Sequence, residues 1–185
     1  MMAGMRGLLI IDIQNDYFPG GAFPLVGPEA AADAARRALG AFRERGEPIV
    51  HLQHVWDAPD ATFMRPGTDG VEIHPLVAPR DGEPVIQKAE PNGFLGTELE
   101  QKLRADGIDE LVVAGMMSSM CVDATVRAGP DLGFGMTVIH DGCAAPDLEF
   151  GGRQVDGASV HAAFMAALGD GYASVKSAAE IVAAL

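Results

Sequence analysis

Three side chains suited to covalent catalysis, Asp12, Lys88 and Cys121, each end or closely follow an apolar run of buried-strand length. A thiol at the start of a helix and beside a lysine has a lowered pKa, which raises its reactive thiolate fraction. A carboxylate within reach can take the thiol proton and later return it to a leaving group. The three residues together indicate nucleophilic catalysis by Cys121, with Asp12 as base and acid.

Each of these residues also has a structural interpretation when it is taken alone. An aspartate after a strand often caps the next turn, a single lysine is most often a solvated surface residue, and a lone cysteine is often a small core residue. Their common position favours catalysis, because ligands bind where the carboxyl ends of parallel strands meet at one edge of a sheet.

The elements that must position these residues follow from the alternation of short apolar runs with amphipathic stretches, which is typical of a parallel sheet covered by helices. We predict an α/β fold, a single domain over residues 1–185 with a Rossmann-like, three-layer α/β/α open sheet of about six mainly parallel strands. The predicted strands are 7–11, 48–52, 84–88, 110–114, 136–139 and 172–175. The predicted helices run from Pro28 to Gly46, from a capping box of Thr97 and Glu100 to Gly107, over 121–128, over 156–168, and from Ser177, which has Glu180 three residues on.

The composition narrows the class of protein. The chain has 185 residues and a formal net charge of −13, which disfavours binding to nucleic acid or to anionic membranes. Its two cysteines, Cys121 and Cys143, cannot make a disulfide framework and have no CxxC partners. No apolar stretch has the length of a signal peptide or a membrane span. We therefore expect a soluble, cytoplasmic protein that acts on a small molecule.

Three segments of the chain resemble the motifs of one known family. Residues 12–18 (DIQNDYF) are similar to the opening motif of the isochorismatase-like cysteine hydrolases, which include nicotinamidases and N-carbamoylsarcosine amidohydrolase. Gln87-Lys88 followed by residues 92–97 (NGFLGT) resembles the lysine motif, and residues 115–127 (GMMSSMCVDATVR) resemble the nucleophile motif. The three motifs occur in the family's order, and the similarity extends over nearly the whole chain.

The resemblance implies a catalytic triad of Asp12, Lys88 and Cys121, in which Lys88 tunes the charges of the other two. It also implies a cis peptide bond between Met116 and Met117, and an oxyanion hole formed by the backbone amides of Met117 and Cys121. Members of this family commonly form dimers or tetramers, so the resemblance predicts a homo-oligomer.

One departure from the family concerns a metal ion. Nicotinamidases of this family have an Asp-x-His pair after the second strand and a later histidine, which together hold a divalent metal. This chain has Gln53-His54-Val55-Trp56 at that place, so the acidic ligand is missing. His54 and His74 without a carboxylate make a poor metal site. We predict that the protein uses no metal and no other cofactor.

The retained thiol favours cleavage of the C–N bond of a small amide through a thioester. Two alternatives stay open: hydrolysis of an isochorismate-like vinyl ether, for which the family does not need the thiol, and a non-catalytic binding or assembly protein with the same fold. The strongly negative charge favours a neutral or cationic substrate.

The residues predicted to contact the substrate are Phe18, His54, Trp56, Phe94 and Ser119. Aromatic walls suit a flat or cyclic amide, although Trp56 and Phe94 are equally interpretable as core or interface residues. Residues 55–83 are rich in Pro, Gly and Asp and predict a long loop. Within it, residues 63–68 are a candidate lid, and the loop is also a candidate contributor to a neighbouring subunit.

Overall fold

A parallel sheet of six strands forms the centre of the molecule. The structure is a computed structural model that describes residues 4–185. The strands of this sheet are β1 (Met5–Ile11), β2 (Ile49–His54), β3 (Val85–Lys88), β4 (Ile108–Met116), β5 (Gly135–Ala144) and β8 (Ser174–Lys176). They lie in the order β3-β2-β1-β4-β5-β8, and every neighbouring pair is parallel. The predicted α/β architecture is confirmed.

Helices cover both faces of this sheet. They are α1 (Pro28–Arg45), α2 (Leu99–Ala105), α3 (Asp123–Asp131), α4 (Gly157–Gly169) and α5 (Ala178–Ala183). Leu8 and Ile10 of β1 pack with α1 and α5, whereas Leu9 and Ile11 pack with α2, α3 and α4. Because both faces of β1 are covered, its sequence is a continuous apolar run rather than an alternating one. Within residues 4–185, no helix combines the length and the apolar character needed to cross a membrane.

The strand order reverses next to β1. The chain adds β2 and β3 on one side of β1 and then crosses to the other side to add β4, β5 and β8. Connections that leave in opposite directions open a crevice at the carboxyl ends of β1 and β4, which is where ligands bind in sheets of this kind. Asp12 directly follows β1 at this crevice.

Some elements differ from the predicted ones. β5 continues to Ala144, because Cys143 pairs with Gly115 after a register shift in the ladder. An antiparallel hairpin of β6 (Leu148–Phe150) and β7 (Arg153–Val155) lies outside the predicted elements. All of its strand residues are exposed, so it lacks the alternation of buried and exposed residues that predicts a strand.

One of the two predicted helix caps forms as expected. Ser177 and Glu180 make a reciprocal capping box at the start of α5. At α2 the predicted box is wrong, because the Thr97 hydroxyl donates to the Gly93 carbonyl at 2.6 Å and Glu100 makes no bond back to it. Thr97 thus fixes the turn at the end of the lysine motif.

The long loop over residues 55–83 contains only two short 3-10 turns, in agreement with its composition. Its candidate lid is anchored near its beginning, since the Met64 amide donates to Asp16 Oδ2 at 2.6 Å and the Met64 carbonyl accepts from the Trp56 amide at 2.9 Å. The Met64 side chain is fully buried. The start of this segment is therefore a fixed wall beside the loop that follows β1.

Gly115 provides a test of the packing between β1 and β4. A Cβ atom at Gly115 would lie 2.3 Å from the Ile11 carbonyl oxygen, which is backbone and cannot turn away. We expect Gly115→Ala to lower the free energy of unfolding by about 1–3 kcal/mol, the usual cost of overpacking a core. Denaturant-induced unfolding measures this change.

The matched control is Gly40→Ala in α1, where an added Cβ meets open space. It should raise the free energy of unfolding by about 0.5–1 kcal/mol, because alanine loses less backbone entropy in a helix. A Gly115→Ala protein as stable as the wild type would contradict the close approach of β1 and β4.

Candidate active site

Four polar side chains meet at the carboxyl edge of the sheet. Asp12 follows β1, His54 ends β2, Lys88 ends β3 and Cys121 follows β4. His54 and Lys88 are register partners on neighbouring strands. Ligand atoms of Asp12, His54 and Cys121 all lie within 4.8 Å of one another. The structure thus brings together the three residues predicted to be catalytic and places His54 beside them.

The Lys88 ammonium lies at the centre of this group. Its Nζ is 2.7 Å from Asp12 Oδ2, 3.1 Å from His54 Nδ1, 3.0 Å from the Glu90 carbonyl oxygen and 3.3 Å from Cys121 Sγ. An ammonium has three N–H donors, and oxygen and nitrogen are better acceptors than sulfur. The three stronger acceptors therefore suffice for Lys88, and Cys121 is free to keep its own proton.

The charge states of Lys88 and His54 follow from the same contacts. Burial by itself lowers the pKa of Lys88, but Asp12 and Cys121 outweigh burial and raise that pKa above its ordinary value, so the ammonium stays charged. Burial, with the neighbouring Lys88 charge, lowers the pKa of His54. His54 is therefore neutral near pH 7, and its Nδ1 can accept from Lys88.

Asp12 is held rigidly with its carboxylate available. Its amide donates to the Leu52 carbonyl at 3.1 Å, and its φ of 48° lies in the left-handed region, which aspartate tolerates better than most residues. Apart from the ion pair with Lys88, its two fully buried carboxylate oxygens have no hydrogen-bond partner within residues 4–185. A carboxylate with unused lone pairs at this position can accept a proton from a neighbouring thiol.

The donor set does not fit a metal ion. Asp12, His54 and Cys121 are close enough to one another for coordination, but their atoms already surround the Lys88 ammonium. A metal placed among them would lie against that positive charge. His74 stacks on Phe18 with ring centroids 3.7 Å apart and accepts from the Leu76 amide, so it is not part of this group.

The environment of Cys121 corrects one prediction. Burial and the Asp12 carboxylate raise the pKa of the Cys121 thiol, whereas the sequence predicts a lowered pKa. The physical reason is that Lys88 is paired with Asp12, so little of its charge is left to stabilise a thiolate in a buried position. Near neutral pH the group is a protonated thiol beside a carboxylate.

A tight turn presents Cys121 to this group. The peptide bond between Met116 and Met117 is cis, as the family resemblance implies, and a π-helical turn over Ser118–Val122 precedes α3. Cys121 therefore lies in this turn, whereas the sequence predicts it at the start of the α-helix. The amides of Met120 and Val122 both donate to the Met117 carbonyl, at 3.1 and 3.2 Å, which closes the turn.

A serine–histidine pair supports the same turn from the other side. The fully buried Ser118 hydroxyl lies 2.8 Å from Nδ1 of His161 on α4. Sequence reasoning missed this contact, because His161 occupies an ordinary helical position and no local pattern connects it to Ser118. The pair links α4 to the segment that carries Cys121.

A small cavity of about 270 Å³ opens beside Cys121. Aromatic and apolar side chains form most of its wall. Its lining residues are Tyr17, His54, Trp56, Phe63, Ala89, Pro91, Met120 and Cys121. Of the predicted substrate-contacting residues, His54 and Trp56 line this cavity.

The other three predicted contacts lie elsewhere. Phe18 stacks on His74 and does not line this cavity. Phe94 stacks on Phe134 at a centroid distance of 5.7 Å in the core that contains α2 and α3. Ser119 is partly buried in the π-helical turn and does not line the cavity, whereas the following residue, Met120, does.

Two of these three residues have a sequence neighbour in the cavity wall. Tyr17 and Met120 line it in place of Phe18 and Ser119, because the backbone turns after β1 and after β4 cannot be predicted to one residue from spacing alone. Phe63 reaches the wall from the long loop and packs against Tyr17 and Trp56. The available signal for Phe63 was its position at the start of the candidate lid, residues 63–68.

The fold and this group of residues are those of one family. The isochorismatase domain model matches residues 6–174, so the chain belongs to the isochorismatase family. It is 49% identical over 170 residues to the isochorismatase family protein YddQ of Bacillus subtilis, covering 92% of this chain and 94% of that protein. It is 37% identical over 146 residues to a streptothricin hydrolase of Streptomyces noursei, covering 78% of this chain and 51% of the relative.

A solved structure shows the same fold. The crystal structure of an isochorismatase hydrolase from Oleispira antarctica superposes with a TM-score of 0.94 at 47% sequence identity, over 99% of this chain and 98% of that chain. Family membership and these relatives identify the chain as an isochorismatase-family hydrolase.

The raised pKa of Cys121 makes a prediction for its reaction with iodoacetamide. We expect slow alkylation of the wild type at pH 7, with a rate that still rises above pH about 8.5, the ordinary pKa of a cysteine. Asp12→Asn removes the negative charge and leaves Lys88 to stabilise the thiolate, so alkylation at pH 7 should be about tenfold faster or more. Mass spectrometry of the labelled peptide over a pH series measures both rates.

Cys121→Ala provides the background from Cys143, whose pKa burial raises to about 12. Fast labelling of wild-type Cys121 at pH 7, with no acceleration in Asp12→Asn, would show that Lys88 has a larger effect than Asp12 on the pKa of the Cys121 thiol.

The buried ion pair makes a prediction for stability. Lys88→Met leaves the Asp12 carboxylate charged and unpaired in a site closed to solvent, so we expect a loss of about 3–5 kcal/mol in the free energy of unfolding. The double variant Asp12→Asn, Lys88→Met removes both charges and should lose less. Urea unfolding at pH 7 compares the two, and a single variant at least as stable as the double would refute the unpaired-charge argument.

Proposed function

We propose that the protein is a cysteine-dependent amidohydrolase that cleaves the C–N bond of a small amide through a thioester. The observation that carries this proposal is the contact of Cys121 with both the Asp12–Lys88 ion pair and a small apolar cavity. A thiol, a carboxylate with free lone pairs and a fixed positive charge beside one cavity are the groups that acyl transfer requires.

The first half of the reaction forms the thioester. As Cys121 Sγ attacks the amide carbon, the thiol proton passes to Asp12, and the carbonyl oxygen becomes an oxyanion. The backbone amides of Met117 and Cys121 donate to that oxyanion, which is the usual role of such a pair. The intermediate then collapses, the C–N bond breaks, and protonated Asp12 gives its proton to the departing nitrogen.

The second half regenerates the enzyme. Asp12 takes a proton from water as the water oxygen attacks the thioester carbon, the C–S bond breaks, and the sulfur regains a proton from Asp12. A carboxylic acid leaves the site. Because burial and the Asp12 charge keep the thiol protonated, transfer of its proton to Asp12 has to accompany the attack.

Lys88 stabilises the two negative charges that arise during the cycle. Its ammonium, 2.7 Å from Asp12 Oδ2 and 3.3 Å from Cys121 Sγ, stabilises whichever of the two groups is negative. His54 and the Glu90 carbonyl hold the ammonium in place. Lys88 therefore contributes charge and position rather than a proton.

The comparisons and the cavity support an amide as substrate. Two relatives are named a streptothricin hydrolase and a nicotinamidase, so the family includes enzymes that hydrolyse amides. The cavity is small and mostly apolar, which suits a compact, neutral molecule. We propose that the enzyme works in the cytoplasm, where a reducing environment keeps a nucleophilic thiol reduced.

The test is release of ammonia or amine from a panel of small amides, including N-carbamoyl compounds and cyclic amides. Cys121→Ala and Asp12→Asn should each lower kcat at least about 1,000-fold on any substrate found, because the triad works as a unit. Treatment with a chelator should leave the rate unchanged.

Cys143→Ala is the matched control, since Cys143 is a buried thiol outside the cavity. Retained activity in Cys121→Ala with loss in Asp12→Asn would favour cleavage of a vinyl ether. Activity lost on chelation and restored by a metal would contradict the metal-free mechanism, and an inert protein with no substrate would support a binding role.

A further inference from the structure

The Tyr17 side chain has a polar group that the fold itself does not use. The residue is only 1% exposed, and it lines the cavity beside Cys121. Within residues 4–185 its hydroxyl forms no hydrogen bond, and the hydroxyl oxygen keeps a little accessible surface. Because the residue lines the cavity, this accessible surface faces the cavity. A nearly buried hydroxyl without a partner is uncommon, because its desolvation is not compensated.

The ring of Tyr17 is fixed by its aromatic neighbours. It meets Phe23 edge-on at a centroid distance of 6.5 Å and interplanar angle of 73°, and it packs against Phe63 at 6.1 Å. Phe63 in turn contacts Trp56 edge-on at 5.4 Å. Such packing leaves a tyrosine little freedom, so its hydroxyl is held at one place in the cavity wall.

The hydroxyl keeps its proton near neutral pH. Burial and the nearby Cys121, Asp12 and Asp16 raise the pKa of Tyr17 well above its ordinary value. The Asp16 carboxylate accepts from the amides of Ala22 and Met64, and within residues 4–185 it makes no hydrogen bond with the Tyr17 hydroxyl. Tyr17 is therefore a neutral hydrogen-bond donor without an acceptor of its own.

We propose that Tyr17 determines substrate specificity by donating a hydrogen bond to an acceptor atom of the substrate, separate from the amide under attack. This inference rests on the proposed amidohydrolase function. The substrate class is a small, neutral, flat amide with a second acceptor, such as a ring nitrogen or a second carbonyl. Aromatic side chains of the wall contact the flat part of this substrate, and the Tyr17 hydroxyl donates a hydrogen bond to its second acceptor.

The size and polarity of the cavity agree with this class. Its volume of about 270 Å³ is below the roughly 300–1,000 Å³ of sites for drug-sized ligands, so the body of the substrate is about one ring. Besides Tyr17, the side chains of the wall that carry a polar atom are Trp56, which is only partly buried, His54, whose Nδ1 faces Lys88, and Cys121 itself. Among these, Tyr17 is the buried side chain that makes no hydrogen bond to Lys88.

The test compares Tyr17→Phe with the wild type on amides that differ only by an acceptor. Benzamide, with no ring acceptor, is paired with picolinamide, nicotinamide and isonicotinamide, and a simple lactam is paired with a cyclic imide. We measure kcat/KM for each, and we measure binding of each to Cys121→Ala with and without Tyr17→Phe. Tyr172→Phe is the matched control, because Tyr172 is exposed and lies under Arg127 away from the cavity.

We expect the wild type to prefer at least one acceptor-bearing member over its partner by about tenfold, the effect of one hydrogen bond in an apolar site. Tyr17→Phe should lower that preference about tenfold by slowing only the acceptor-bearing member, and Tyr172→Phe should leave it unchanged. The preference should also appear in binding to Cys121→Ala.

The outcomes separate this inference from the proposed function. A Tyr17-dependent preference in binding with no amide hydrolysed would support the role of Tyr17 and refute the amidohydrolase. Hydrolysis of amides with the same preference in Tyr17→Phe as in the wild type would refute the role of Tyr17 and leave the amidohydrolase standing. A panel with no Tyr17-dependent preference in either assay overturns the inference.

Discussion

The site depends on one buried positive charge, the Lys88 ammonium, and on the acceptors arranged around it. Transfer of an ammonium and a carboxylate out of water costs several kcal/mol per ion, which only close pairing and further hydrogen bonds offset. Lys88 has both, since Asp12 pairs with it and His54 and the Glu90 carbonyl accept its remaining protons. The same ammonium lies among the atoms that would have to bind a metal ion. Lys88 therefore supplies the positive charge of this site.

The ion pair also sets the state of the nucleophile. At Cys121, burial and the Asp12 carboxylate outweigh the Lys88 charge, so the thiol keeps its proton. In the proposed reaction, the thiolate forms only together with bond formation to a substrate. The neighbouring cavity is apolar apart from a few polar groups, among them Tyr17, and a neutral molecule enters it without opposing the strongly negative charge of the whole protein.

Much of the fold and of the catalytic group is readable from the sequence. Apolar runs of strand length separated by amphipathic helices predict the parallel sheet, and residues at strand ends share one edge of such a sheet, so Asp12, Lys88 and Cys121 could be placed together. The exposed β6–β7 hairpin and the absence of a capping box at Thr97 could not be predicted. The first has no buried face to leave a pattern, and the second depends on a carbonyl of a neighbouring turn.

The sequence by itself determined the class of fold and the family, and it predicts which side chains are catalytic, because these depend on local periodicity and on motifs of short spacing. Only the tertiary structure decided the charge state of Cys121 and the wall of the cavity. A pKa depends on burial and on every charge within a few ångströms, and Tyr17 and Phe63 meet Cys121 across long separations in the chain. Those distances are set by packing, which no local pattern records.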